Sequence, residues 1–192
     1  GNPLEVDGQV GSVTWATLFG IDSIVVTDTA PNVLLTEAVK AAVKQLGVME
    51  DPPGSNKGPV VNQYLSSVGL PPGLFWCAAF VYWAFDKAST SLGKKNPLVK
   101  TGHVMTHWNK TAGKKITTNE AMNKPSLIKP GHIFIMNTGG SSGHTGIVEK
   151  VEGGFVHTIE GNSNNAGSRN GIGVFRLQRK IAKINRGFIE YK

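Results

Sequence analysis

Cysteine is nearly missing from this 192-residue chain: Cys77 is the only one. An intrachain disulfide is therefore excluded, and the fold must rest on its apolar core. Long apolar runs are missing too; none approaches the length needed to cross a bilayer, so no membrane span is expected. Charge is sparse, 17% of residues, and uneven, with 20 basic against 13 acidic side chains and a formal net charge of +7. Such an excess favours anionic partners, whether nucleic acid, acidic envelope polymers or phospholipid surfaces. The basic residues are scattered, however, and the pairs Lys94-Lys95, Lys114-Lys115 and Arg179-Lys180 make no run. No nucleic-acid partner is expected from them. Internal repeats and low-complexity tracts are also lacking. What is abundant is glycine, 24 residues, beside 40% apolar content with eight Phe and four Trp. That supplies one sizeable core in one full domain, rich in tight turns.

The chain opens with turn chemistry at Asp7-Gly8 and Gly11, then a short helical pattern with Val13, Trp15, Ala16 and Leu18 on its apolar face. Asp7-Gly8-Gln9-Val10-Gly11 followed by Thr14-Trp15-Ala16-Thr17-Leu18 resembles the last part of the small helical peptidoglycan-binding module. Residues 1–20 are therefore expected to be a remnant of such a module, with its other helices and any export signal upstream. The plainer alternative is a helix packed on the main domain. Residues 21–35 mix β-branched residues with Asp, Thr, Pro and Asn and read as a linker. A helix is expected from Thr36, which would cap it, to Gly47, with Ala38, Val39, Ala42, Val43 and Leu46 facing inward. The turn-rich loop 50–58 leads to a second helix buried through Val60, Val61, Tyr64, Leu65 and Val68.

The most telling stretch is Pro71-Pro72-Gly73-Leu74-Phe75-Trp76-Cys77-Ala78-Ala79-Phe80-Val81-Tyr82-Trp83-Ala84-Phe85. Pro-Pro-Gly cannot continue a helix, and the apolar run after it has no breaker before Ser89-Thr90-Ser91. Cys77 is thus expected in the first turn of a buried helix, where unpaired N–H groups and the helix dipole favour a thiolate. It could equally be a small core residue. Helical pattern recurs weakly at 103–108 and from Thr117. Beyond Lys129 the period changes to strand, over 132–136, 145–151, 155–159, 173–177 and 186–191, with Glu152-Gly153-Gly154 as a hairpin turn. Helices first and strands afterwards predict an α+β domain with an antiparallel sheet.

A histidine partner for Cys77 is offered by Gly143-His144-Thr145-Gly146-Ile147-Val148, whose glycines let other groups approach closely. Sixteen residues on, after the hairpin, stands Glu160-Gly161-Asn162. Hairpin spacing makes His144 and Glu160 neighbours across two strands, where a carboxylate or amide can accept the second ring N–H and fix the imidazole.

Trp76-Cys77-Ala78-Ala79-Phe80-Val81, Lys129-Pro130-Gly131, Gly143 to Val148 and Glu160-Gly161-Asn162 together resemble the CHAP group of cysteine amidases and peptidases, within the NlpC/P60, papain-like superfamily. The resemblance runs through residues 36–192, read as the catalytic domain. It implies a papain-like α+β fold with N-terminal helices packed on a C-terminal antiparallel sheet. It further implies hydrolysis of peptidoglycan amide bonds, by N-acetylmuramoyl-L-alanine amidase or endopeptidase action, outside the cytoplasm or at the cell wall. By position Cys77 matches the nucleophile, His144 the general base, and Glu160 or Asn162 the residue that orients it. Where the family commonly shows Asp after Pro-Gly, this chain has His132, read as structural. Some members carry an acidic calcium loop, but 50–58 holds only Glu50 and Asp51, so no metal or other cofactor is expected.

The Cys77 backbone N–H is a natural oxyanion donor, with Asn56, Asn62 and Tyr64 as candidates for a second. Trp76, Asn56 and Trp108 are taken as substrate-binding candidates and His157 as another groove residue, with core or surface packing the favoured alternative for Trp76, Trp108 and His157. Among rivals, His103 and His107 stand at helical i, i+4 as in a zinc protease, but Val104 replaces the required Glu and no third ligand stands out. Gly139 to Gly146 lacks the Lys of a phosphate-cradling loop, and Asn109-Lys110-Thr111 is a glycosylation sequon by pattern only. The alternative from another class is a non-catalytic wall-binding module on a degenerate hydrolase fold.

Overall fold

The computed structural model describes residues 28–167 and 170–192. The expected module remnant over 1–20 and residues 21–27 of the 21–35 linker lie outside the described residues. Helix α1 spans Val33–Val43. It begins three residues before the expected Thr36 because Asn32, not Thr36, is the cap: its side chain accepts the Leu35 N–H at 3.0 Å. Leu34 and Leu35 are thereby drawn into the core. Helix α2 spans Pro59–Ser67, with proline at its first position, where no N–H is needed. Helix α3, Cys77–Ser91, is buried along most of its length. Helix α4 is Val104–Lys110.

Strand β1, Lys114–Thr117, was not foreseen: its burial pattern leaves a single inward residue, Ile116, too short a signal to read. Helix α5, Thr118–Asn123, starts with a reciprocal cap between Thr117 and Glu120. The remaining strands are β2 (Ile133–Gly139), β3 (Ser142–Glu152), β4 (Phe155–Ser163), β5 (Gly173–Lys180) and β6 (Gly187–Glu190). They form one antiparallel sheet in the order β1-β6-β2-β3-β4-β5. The α+β class, helices first and antiparallel sheet after, is the observed one. Among the described residues no helix is long and apolar enough to cross a membrane.

Two apolar clusters bracket the sheet. The larger holds α1, α2 and α3 against Ile133, Ile135, Ile147, Ile159 and Ile189. The smaller gathers Phe134, Val148, Val156, Phe188 and Ile184. The alternation of neighbours such as Ile133 and Phe134 between clusters is the period-two signature of a sheet covered on both faces. Gly161 lets α3 settle on β4: a Cβ there would lie 2.6 Å from the Trp76 ring and 2.7 Å from Phe80. The start of α3 is therefore pressed onto the end of β4, and this contact positions the site.

Candidate active site

Cys77 is the first residue of α3, 4% exposed, with Trp76 as the cap position. Its N–H has no intrahelical acceptor, as for any residue at a helix start. His144 lies near the start of β3 and is 2% exposed; Glu160 lies on β4 and is 0% exposed. Ile147 pairs with Ile159, so Gly146 faces Glu160, and His144 is its diagonal neighbour rather than the residue directly across. Gly146 makes the diagonal passable. A Cβ there would stand 2.8 Å from the Glu160 side chain and from the Phe134 ring. With that space open, His144 Nε2 and Glu160 Oε2 meet at 2.7 Å.

Nε2 being taken by Glu160, Nδ1 is the ring nitrogen left for Cys77; it is buried and has no partner within strict hydrogen-bond geometry. Cys77 nevertheless acts on the ring, favouring its charged form. Burial pulls the His144 imidazole down, but Cys77 and Glu160 together outweigh it and lift the ring to about 9. Burial likewise pushes the Glu160 carboxyl up, and Arg179 and His144 overcome this to hold it near 2. The site is thus a desolvated acid–base pair whose charges are sustained by neighbours, not by water.

Of the two residues proposed to orient His144, Glu160 is the one in contact. Asn162 is engaged elsewhere. Its Oδ1 accepts the Trp76 N–H at 3.1 Å, and its Nδ2 donates to Asn56 Oδ1 at 3.0 Å and to Gly171 O at 2.9 Å. It sits at positive φ, 56°, which asparagine tolerates. Asn162 therefore ties the residue before Cys77 to two loops. Trp76 requires correction as a substrate-binding candidate: it is 0% exposed, stacks on Tyr64 at 5.5 Å and donates its ring N–H to Glu50 Oε1 at 2.9 Å. A ring with no free face cannot hold a sugar or peptide. Asn56 uses its side-chain oxygen on Asn162 and its N–H on Glu50 Oε2 at 3.0 Å, so it braces the loop. Trp108 is half-buried at the β1 side of the sheet under Lys115, 5.1 Å from its ring centroid. Tyr64 is buried and donates to Gln45, while Asn62 Oδ1 is buried without a partner. Neither is placed as a second oxyanion donor. His157 lies beside Glu152 in the hairpin. His107 turns its Nε2 to the Tyr191 hydroxyl at 2.7 Å, away from a shared ligand with the exposed His103.

Sequence reasoning missed four participants. Glu50, 4% exposed, was read only as a poor calcium ligand, yet it bridges the Trp76 ring and the Asn56 backbone. Arg179 was noted only as half of a scattered basic pair, yet it grips Glu160. Phe75 is 61% and Leu74 43% exposed, an apolar shoulder in the loop that precedes Cys77 in the chain. The signal for that shoulder was in hand: an aromatic beside a Pro-Pro-Gly turn has no helix to bury it.

Residues 69–162 match the family model of the CHAP domain. Over that stretch the chain is similar to CHAP domains. CHAP domains make up a family of peptidoglycan hydrolases, and the match encloses Cys77, His144, Glu160 and Asn162. Among curated proteins none matches the chain. Among solved structures, a mutated form of the resuscitation promoting factor interacting protein RipA is similar at 16% identity and a TM-score of 0.47, over 92% of this chain and 77% of that one.

Proposed function

We propose that this chain hydrolyses an amide bond of peptidoglycan by cysteine nucleophilic catalysis, as an N-acetylmuramoyl-L-alanine amidase or a peptidoglycan endopeptidase. The observation that carries the reading is the placement of Cys77 at a helix start against a buried His144 whose far nitrogen rests on Glu160. The Cys77 thiol gives its proton to His144, and the thiolate attacks the carbonyl carbon. The Cys77 N–H faces the oxyanion that develops. The imidazolium protonates the departing amine, leaving a thioester on Cys77. His144 then takes a proton from water, which attacks the thioester and releases the carboxylic acid and the thiol.

The catalytic unit in this reading is residues 36–192 together with the helical turn from Val33, and its place of action is the cell wall outside the cytoplasm. Residues 1–20 are proposed as the end of a wall-binding module. The net positive charge suits an anionic envelope, and the exposed Phe75 and Leu74 offer an apolar face to the stem peptide or sugar beside the scissile bond. Mass spectrometry of muropeptides after digestion of purified sacculi tests the function. Fragments with a new free amine and intact sugars are expected; the amine's position separates amidase from endopeptidase. Sacculi that bind the protein and yield no new ends would establish the wall-binding alternative instead.

A further inference from the structure

We propose that Arg179 is a positioning residue of the hydrolytic centre, holding the Glu160 carboxylate in the one orientation that presents Oε2 to His144. The inference rests on Cys77, His144 and Glu160 being the reacting set. Arg179 comes from β5, where it pairs across from Val156, and its side chain is only 15% exposed. Its Nε donates to Glu160 Oε1 at 2.6 Å and its Nη2 to Oε2 at 2.6 Å. Thr158 Oγ1 adds a donor to Oε1 at 2.6 Å, and His144 meets Oε2 at 2.7 Å. Each carboxylate oxygen thus has two partners, which leaves no rotation open to it.

The guanidinium is itself fixed. Nη2 also donates to Gly167 O at 3.1 Å, and the group lies 5.4 Å from the centroid of the Phe134 ring. Phe134 in turn stands 5.9 Å from the His144 ring. A planar fork that grips both oxygens of a carboxylate adds direction as well as charge, and a lysine cannot copy it.

Charge balance gives the second part of the argument. Glu160 is fully buried, and while Cys77 is a thiol and His144 neutral it would otherwise be an uncompensated anion. Cys77, His144, Glu160 and Arg179 together sum to zero both before and after the proton moves from sulfur to imidazole. The transfer therefore occurs without net charge appearing in a dry site. The titratable or charged groups facing Glu160 are His144 from β3 and Arg179 from β5, with Cys77 from α3 acting on the His144 ring.

The test compares wild type with R179K, R179M and E160Q, reading turnover of soluble muropeptides and the pH dependence of Cys77 alkylation by iodoacetamide. In R179M, kcat should fall by about 10- to 100-fold through misplaced His144, with KM within about twofold. The acid limb of alkylation should move up by about one pH unit or more, because Glu160 without the guanidinium takes up a proton sooner. R179K should return the limb toward wild type while recovering only part of kcat. Wild-type turnover with an unmoved limb in R179M would overturn the proposal, as would an R179K profile no different from that of R179M. If R179M does not fold, R179K decides alone: a lower kcat at constant KM supports positioning, and wild-type kcat refutes it. Should the wild type cleave no peptidoglycan, the proposed function falls, while the alkylation profiles still decide the role of Arg179.

Discussion

His144, His107 and His132 are equally dry, at 2%, 3% and 0% exposed. Their surroundings drive them in opposite directions. At His107 burial acts against nothing but a tyrosine hydroxyl, and the ring falls to about 4. At His132 burial again prevails; Glu190 pulls up, but Lys129 and Lys114 oppose it, and the ring also falls to about 4. At His144 a carboxylate in contact and a cysteine on the other nitrogen reverse the result and raise the ring to about 9. Burial alone makes a histidine inert. Burial with a fixed anion makes it an acid that works near neutral pH.

The largest break in that comparison is Cys77→Ala. Hydrolysis of sacculi should vanish while thermal unfolding stays close to wild type, since a cysteine-to-alanine change removes little volume from the core. Next, Glu160→Gln should lower His144 toward His107, with only Cys77 left to oppose burial. Turnover should then fall by about 10²–10⁴-fold, as when a general acid–base is lost; a variant within threefold of wild type would detach Glu160 from the chemistry.

Gly161→Ala should act through geometry. The added methyl meets the Trp76 ring and Phe80, so α3 must lift from β4, at a cost of roughly 1–3 kcal/mol in stability with lost activity. Denaturant unfolding reads the first and muropeptide turnover the second. An unchanged Gly161→Ala protein would remove the close approach from the explanation of the site.

The pH dependence of stability sharpens the contrast. His107 and His132 bind protons more readily when unfolded, so each withdraws stability as pH falls from 6.5 toward about 4. The lifted His144 has the opposite sign: its contribution is full below 6.5 and is lost as pH rises through about 9. Glu160 contributes fully above 4.5 and loses that only as pH falls toward about 2. Replacing His107 by Leu should flatten the acid slope by up to about 1.4 kcal/mol per pH unit. Chemical denaturation from pH 4 to 7 measures it, and an unaltered slope would show His107 titrating normally. The smallest effect is expected from Phe75→Ala, a several-fold rise in KM at unchanged Cys77 alkylation rate; an unchanged KM would mean that substrate passes this shoulder without touching it.

The sequence made some of this legible and hid the rest for physical reasons. Cys77 was readable because a breaker-rich loop and a breaker-free apolar run meet at it. His144 and Glu160 were readable because hairpin spacing is local. Arg179 was not, since it reaches Glu160 through a second strand pairing whose register no local pattern states. Trp76 was misread because motif position says nothing about which face of a ring is free. Asn162 and Glu50 stand 112 residues apart, so their shared bracing of the Trp76 turn exists only in the folded chain. The early start of α1 was masked by Thr36, an acceptable cap placed after the true one, Asn32.

Whether His144 is held as an imidazolium beside Cys77 can be read directly by ¹⁵N NMR of the histidine rings across pH 4 to 10. Both His144 nitrogens should stay protonated through neutral pH and release a proton near 9, while His107 and His132 remain neutral down to about 4. A His144 that titrates at or below 6.5, alongside the other two, would contradict the charged pair on which the proposed chemistry depends.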